Sequence, residues 1–351
     1  MAKYPKGKKK HYQPKVKKKS SITKMNPDTF VLSSLLQATP HYVSGNHLAD
    51  RLKMSRVGVW ARVDKLRKSG LSIEASQNRG YRLAGEPDLL VRPLLDAWFK
   101  ECNINYPVHL LESTDSTNSE AERLLASGEK APFAVISQQQ QSGRGRMGRT
   151  WYSPKGGNLY LSIGLRPDVA LVKLRNFTLW QGVTIAKFLK DLTGIDSLMV
   201  KWPNDLVSGR KKVGGMLTEA SIDCDQVRSM VFGIGLNINS SSENFPKEIR
   251  ANSTSLKDLS GAEWRIHEIA AKLIKVCMKS CQECLLEDTG DQLQKDWKEM
   301  DFLKGKKVSI QSGKDVFSGS AHGIDETGGL IVKLKNGRQK IAHAGEVSLM
   351  R

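Results

Sequence analysis

Along residues 29–86, apolar positions recur at helical spacing in three short blocks and then switch to strict alternation. Thr29 is placed to cap a helix carrying Phe30, Leu32, Leu35 and Leu36. Ser44 begins a second helix with Leu48, Ala49 and Leu52 inward. The turn Leu52-Lys53-Met54-Ser55 leads to a third, capped by Ser55, with apolar positions Val57, Val59, Trp60, Val63 and Leu66 and with Gly70 as its stop. Residues 71–75 then alternate, Gln77-Asn78-Arg79-Gly80 turns, and Tyr81-Arg82-Leu83 alternates back. A helix–turn–helix followed by a basic-tipped hairpin is the pattern of a winged helix.

The rest of the chain changes period more often. Residues 87–104, which include Pro87 and Pro93, read as a connector with some helix. Between 105 and 300, strand-like runs fall at 133–136, 159–163, 198–201, 213–220 and 230–237, and helices at about 115–127, 176–193 and 263–287. This predicts an α+β domain around a mixed or mostly antiparallel sheet. Residues 302–351 hold five short alternating segments with Gly-containing turns, the spacing of a small β-barrel. Residues 1–28 have no apolar period and are expected to be a disordered basic tail.

Charge sharpens this division. Of the net +19, residues 1–29 carry +9 and residues 30–86 carry +5, which leaves +5 for residues 87–351. The basic N-terminal quarter calls for a polyanion partner, and the winged-helix pattern selects DNA over a membrane surface. Ser55 and Arg56 at the start of the third helix, Arg62 and Lys65 along it, and Arg79 at the wing are the candidate DNA contacts. A small helical protein-interaction domain is the alternative. For the tail, a solubilising segment and an arm adding nonspecific phosphate contacts both stand.

The 351 residues suffice for two or three domains, and a hydrophobic share of 39% with a charged share of 26% is globular composition. No stretch approaches the roughly 20 apolar residues of a membrane span. The N-terminus has no apolar core, so no secretory signal is expected, and five cysteines read as reduced thiols of a cytoplasmic protein. Cys277, Cys281 and Cys284 have the spacing of an iron–sulfur motif, but they fall in line on a helix with Ile269 and Leu273, where core packing is expected.

Four segments of the large domain carry candidate chemistry. Residues 143–148 contain a literal G-x-G-x-x-G, yet Pro154 and Gly156-Gly157 follow instead of a helix, so a dinucleotide fingerprint is excluded. What remains is a flexible loop bearing Arg144, Arg146 and Arg149, forked donors suited to carboxylate and phosphate. Val200-Lys201-Trp202-Pro203-Asn204-Asp205 ends a strand on a lysine placed to neutralise an oxyanion, followed by Asn and Asp suited to a metal or a nucleotide hydroxyl. Asp115-Ser116-Thr117-Asn118 reads as a helix N-terminus with free hydroxyls and amides. Lys211–Glu219 and Gly233–Asn239 read as strands with small residues where a ligand needs room.

Taken in order, DSTN, QQ-x-GRGR-x-GR-x-W, KWPND, K-x-GG-x-L-x-E and G-x-G-x-N resemble biotin protein ligases. With the helix–turn–helix ahead and the small barrel behind, the chain from about residue 30 to 351 resembles their bifunctional form, which also represses the biotin operon. The resemblance implies a class II synthetase-like central domain and an SH3-like C-terminal barrel. It implies ATP, Mg²⁺ and biotin as reactants, with Mg²⁺ carried on the ATP phosphates and not in a protein cage. Biotin's carboxylate attacks the α-phosphate of ATP to give biotinyl-5′-AMP, and a lysine of the biotin carboxyl carrier protein then takes the biotinyl group. The further partners implied are operator DNA and a second copy of the chain in a homodimer, with no membrane.

Roles follow by matching positions. Ser116, Thr117, Asn118 and Gln140 resemble contacts to the neutral biotin head, and Arg144, Gly145 and Arg146 the loop around its carboxylate and the adenylate. Lys201 is similar to the lysine bridging carboxylate and α-phosphate, so Lys201, Arg146 and Arg149 are the expected catalytic cations. Arg149, Trp151, Asn204 and Asn237 resemble nucleotide contacts. Met147 stands where some relatives carry a further Arg. Asp115 and Glu219 are not needed as bases, because biotin's carboxylate is already ionised at neutral pH. A lipoate-type acyl-adenylating ligase, and a regulator without ligase activity, are the competing functions.

Overall fold

A computed structural model describes residues 26–350, so the expectation for the tail falls almost wholly outside the described residues. The chain begins with helices α1 (Pro27–Ala38), α2 (Gly45–Leu52) and α3 (Arg56–Lys68) and the hairpin β1 (Ser72–Ser76) with β2 (Gly80–Gly85). The first helix starts before Thr29: Asn26, not Thr29, caps it by accepting from the Asp28 N–H. Ser55 caps α3 through the Gly58 N–H as expected. Val59, Val63 and Leu66 form the buried stripe of α3, whereas Val57 and Trp60, read from the sequence as apolar positions, lie on the opposite face, 75% and 55% exposed.

Helix α4 (Arg92–Glu101) lies within the connector and joins two cores. Leu94 and Ala97 belong to the winged-helix core, and Leu95, Phe99 and Cys102 to the main one. Polar contacts fasten the connector as well. The Gln138 carboxamide accepts from the Leu90 N–H and donates to the Leu90 carbonyl, and fully buried His267 takes the Val91 N–H while its other ring nitrogen lies 3.0 Å from Glu86.

The central sheet contains β3 (Val108–Leu111), β4 (Phe133–Ser137), β5 (Asn158–Leu165), β6 (Val169–Ala170), β7 (Leu198–Lys201), β8 (Asp205–Ser208), β9 (Lys211–Asp223) and β10 (Gln226–Asn237). Its order is β3-β4-β5-β10-β9-β8-β7, with β6 paired to β10. Only the β3–β4 pair is parallel, so the sheet is mixed. Helices α5 (Thr117–Ala126), α6 (Phe177–Thr193), α7 (Lys247–Arg250), α8 (Leu256–Ser260), α9 (Ile266–Leu286) and α10 (Gly290–Met300) complete the domain. Cys277, Cys281 and Cys284 are buried on α9 in the main core. Strands β11 (Lys307–Ser312), β12 (Asp315–Ile324), β13 (Leu330–Lys333), β14 (Gln339–Ala342) and β15 (Glu346–Leu349) form an antiparallel sheet in the order β14-β13-β12-β11-β15, with the two outer strands unpaired to each other. It shares the main core through Val308, Ile310, Leu330 and Val332.

Candidate active site

A cleft of about 320 Å³ opens where α5, the loop 143–151, the β7–β8 turn, β9, β10 and β15 converge. Its inner wall is the N-terminus of α5. Ser116 caps the helix by accepting from the Asn118 N–H at 3.3 Å, and Gln140 Oε1 accepts from the Thr117 N–H at 2.8 Å. Ser116, Thr117 and Asn118 are all buried. The floor is the pair β9–β10, where Gly235 stands opposite Gly215. Glycine is required at 235 because a Cβ there would lie 2.3 Å from the Trp151 indole nitrogen.

The Gly/Arg loop folds back on itself. The Gly145 N–H donates to the Arg149 carbonyl at 2.7 Å and the Trp151 N–H to the Gly143 carbonyl at 2.8 Å. Gln140 Nε2 holds Ser153 at 2.8 Å, which ties the loop's far end to the inner wall. Met147, at φ 56°, makes the turn in the left-handed region.

Cations crowd the mouth. Arg144 pairs with Glu219 at 2.8 Å and with Glu122 at 3.3 Å. Arg149 pairs with Glu346, brought in by β15 of the C-terminal sheet. Lys212 pairs with Asp205 at 2.6 Å and sits over the Trp151 ring. Arg146 and Lys201 line the same cleft and, among the described residues, neither makes a salt bridge. Burial pushes the Lys201 amine below its ordinary range, nearby Lys212 and Arg149 add to the effect, and Asp205 opposes it. Burial likewise depresses the Arg146 guanidinium, against the pull of Asp205 and Glu346.

Ser116, Thr117, Asn118, Gln140, Arg144, Gly145, Arg146, Arg149, Trp151, Lys201 and Asn204 therefore all line one cleft, although they come from sequence positions almost ninety apart. Asn204 braces it, accepting from Arg146 at 3.4 Å and donating to the Met216 carbonyl at 2.7 Å. Asn237, expected as a nucleotide contact, is not among the residues lining the cleft. Its carboxamide is buried and donates to the Thr254 carbonyl, which secures the segment after β10. Asp205, read from the sequence as suited to a metal or a nucleotide hydroxyl, opens strand β8 and pairs with Lys212. Lys212 and Glu346 were missed as cleft residues, and Glu346 has no local signal because tertiary docking alone delivers it.

On α3, Ser55 and Arg56 are exposed at the helix start. Arg62 and Lys65 instead pair with Asp28, at 3.0 and 2.9 Å, and Asp28 is almost fully buried against them. Arg79 packs over the Tyr42 ring at the wing.

Three family models match the chain. The Biotin/lipoate A/B protein ligase family covers residues 110–239, an HTH domain covers 29–82, and the Biotin protein ligase C terminal domain covers 304–350. Among curated relatives, the bifunctional ligase/repressor BirA of Bacillus spizizenii is 30% identical over 308 residues, spanning 88% of this chain and 94% of that protein. The chain belongs to the biotin ligase/repressor family. BirA of Escherichia coli is another member, 30% identical over 319 residues and aligned with 90% of this chain and 95% of its own. Within the same family, the biotin protein ligase of Aquifex aeolicus, solved in complex with biotin and ATP, has a TM-score of 0.56 and 28% identity, and covers 70% of this chain and 99% of its own.

Proposed function

We propose that this protein is an ATP-dependent biotin ligase that forms biotinyl-5′-AMP, transfers biotin to a lysine of the biotin carboxyl carrier protein, and represses transcription through its winged helix. The observation that carries the catalytic half is the pair Arg146 and Lys201: two half-buried cations, free of salt bridges to described residues, facing one cleft. Each is held below its ordinary pKa by desolvation, so each gains from an incoming anion.

Joining two anions requires their repulsion to be offset before an oxygen approaches phosphorus. In our reading Lys201 bridges the biotin carboxylate and the α-phosphate, stabilising charge as it shifts to the leaving pyrophosphate. Arg146 and Arg149 take the flanking phosphoryl oxygens, and Trp151 supports the adenine. Ser116, Thr117, Asn118 and Gln140 receive the biotin head. Mg²⁺ bound to the triphosphate supplies further charge neutralisation. Among the described residues no three His, Cys, Asp or Glu side chains gather as a metal cage, and Asn204, Asp205 and Glu346 are the hard oxygen donors at hand. Arg144 and Gly145 order over the adenylate and exclude water.

The described helices include none long and apolar enough to cross a membrane, and a cytoplasmic location suits carboxylase and operator alike. Adenylate-promoted homodimerisation would pair two winged helices on one operator. The decisive test is transfer of labelled biotin to a carrier-domain lysine. ATP-dependent labelling that disappears in Lys201→Ala, with adenylate formation lost as well, supports the reading. Exchange of pyrophosphate into ATP that depends on lipoate but not on biotin selects the lipoate-type alternative.

A further inference from the structure

Glu219 lies behind the cleft and has no part in the reaction described above. Its Oε2 accepts two donors at once, Asn118 Nδ2 at 2.7 Å and Arg144 Nη2 at 2.8 Å. The second Asn118 Nδ2 hydrogen is directed at the Leu217 carbonyl, 3.4 Å away. On the other side of the carboxamide, the Ser162 hydroxyl lies 2.6 Å from Asn118 Oδ1 and 2.8 Å from Thr117 Oγ1; its single hydrogen goes to Oδ1, the shorter contact and the one partner there with no hydrogen of its own to give. An amide turned over would set Oδ1 against a carboxylate and a carbonyl, three acceptors with no proton between them, so this arrangement permits one orientation. Asn118 is buried, and Gly233 must be glycine because a Cβ there would lie 2.0 Å from Oδ1.

The proton count has a consequence for recognition. Both Nδ2 hydrogens are committed, and one Oδ1 lone pair is taken by Ser162. The single polar function Asn118 has left for a ligand is the other Oδ1 lone pair. Ser116 is the converse: its oxygen accepts from the Asn118 N–H, and its own hydrogen is free to donate.

We infer that Glu219 is a positioning residue for substrate selectivity: by occupying the amide hydrogens of Asn118 it makes that side chain an acceptor only, so that the pocket selects a ligand N–H. This rests on the biotin reading, in which the N–H belongs to the ureido ring. Arg144, held on the same carboxylate oxygen, links that selection to the Gly/Arg loop.

The test uses the full chain, ATP–pyrophosphate exchange, biotin, and the two cyclic carbamate analogues in which one ureido N–H is replaced by a ring oxygen. The native protein is expected to prefer biotin over at least one carbamate by roughly tenfold or more in kcat/KM, because an unpaired acceptor would face an acceptor. Glu219→Gln, which lets the Asn118 amide turn over, should raise the biotin KM by about tenfold with kcat within about threefold, and should erase most of the preference. Glu219→Asp should recover part of it. Equal use of all three acids by the native protein overturns the inference without any variant. Native KM and native preference in a folded Glu219→Gln protein overturn it as well. Asn118→Ala separates the two levels: if its biotin KM is unchanged, the placement of biotin in this cleft fails. If that KM rises while Glu219→Gln behaves as native, only the role of Glu219 is lost.

Discussion

The indole N–H of Trp202 donates to the carbonyl of Gly328, 3.0 Å away. Trp202 directly follows Lys201 and is 2% exposed, while Gly328 belongs to the turn between β12 and β13. Two residues before Trp202, the Val200 carbonyl accepts from the N–H of Phe302, in the link between α10 and β11, at 2.9 Å. The strand that carries the central lysine is thus bolted to the C-terminal sheet, the same sheet that delivers Glu346 to Arg149. Trp202→Phe keeps the apolar bulk and loses the hydrogen bond, and should cost about 1 kcal/mol. Trp202→Ala should cost about 3–5 kcal/mol and reduce adenylate formation. Urea unfolding with parallel exchange assays checks both, and an alanine variant as active and stable as native would show that the bolt is not needed.

Lys201 should govern the alkaline side of the pH profile. Burial lowers its pKa, so the charged form, proposed above to bind carboxylate and phosphate, is lost at a lower pH than for a solvated lysine. kcat/KM for adenylation should therefore fall on an alkaline limb below the ordinary lysine range. The corresponding limb of kcat should lie higher, because bound anions restore the charge. In Lys201→Arg the guanidinium stays protonated, so whatever activity remains should lack the limb. A limb unmoved in that variant would assign it to another group.

The winged helix separates cations that face outward from those already neutralised. Arg56→Ala should weaken binding to DNA upstream of the protein's own gene by about 1–3 kcal/mol while leaving ligation unchanged. Arg62→Ala should act mainly on folding, because it strips a partner from buried Asp28, at about 1–3 kcal/mol. Gel shifts at two salt concentrations and thermal melts distinguish these outcomes. A larger DNA defect in Arg62→Ala than in Arg56→Ala would reverse the assignment.

Cysteine reactivity should be one-sided. Cys224 is exposed, whereas Cys102, Cys277, Cys281 and Cys284 are buried. Burial raises all four buried thiols, Cys284 to about 11, which suppresses the thiolate that alkylation requires. Brief iodoacetamide treatment of the native protein near pH 8 should add one label, at Cys224, by mass spectrometry. Rapid labelling on α9 would mean that this helix opens readily.

Local order was legible in the residues themselves. The helix start after Ser44, the Ser55 cap, the Gly70 stop, the alternating hairpin and the five C-terminal strands depend on nearest-neighbour geometry, and they stand where periodicity places them. The lining of the cleft was legible too: Arg144, Arg146, Lys201 and the Ser-Thr-Asn cap, singled out in the sequence by residue type and order, all line it. Strands β3 and β8 were not read from the sequence, and each is held in place by pairing with its neighbours, β3 with β4 and β8 with β7 and β9. Nor could the sequence assign partners. That Asp28 neutralises Arg62, that Asn237 braces Thr254, that Glu346 meets Arg149, and that Glu219 commits Asn118 to one orientation are contacts between residues from 17 to almost 200 apart. Local sequence sets backbone preference and residue chemistry. Which charges remain free to meet a substrate is decided only when folding brings distant side chains within hydrogen-bond range.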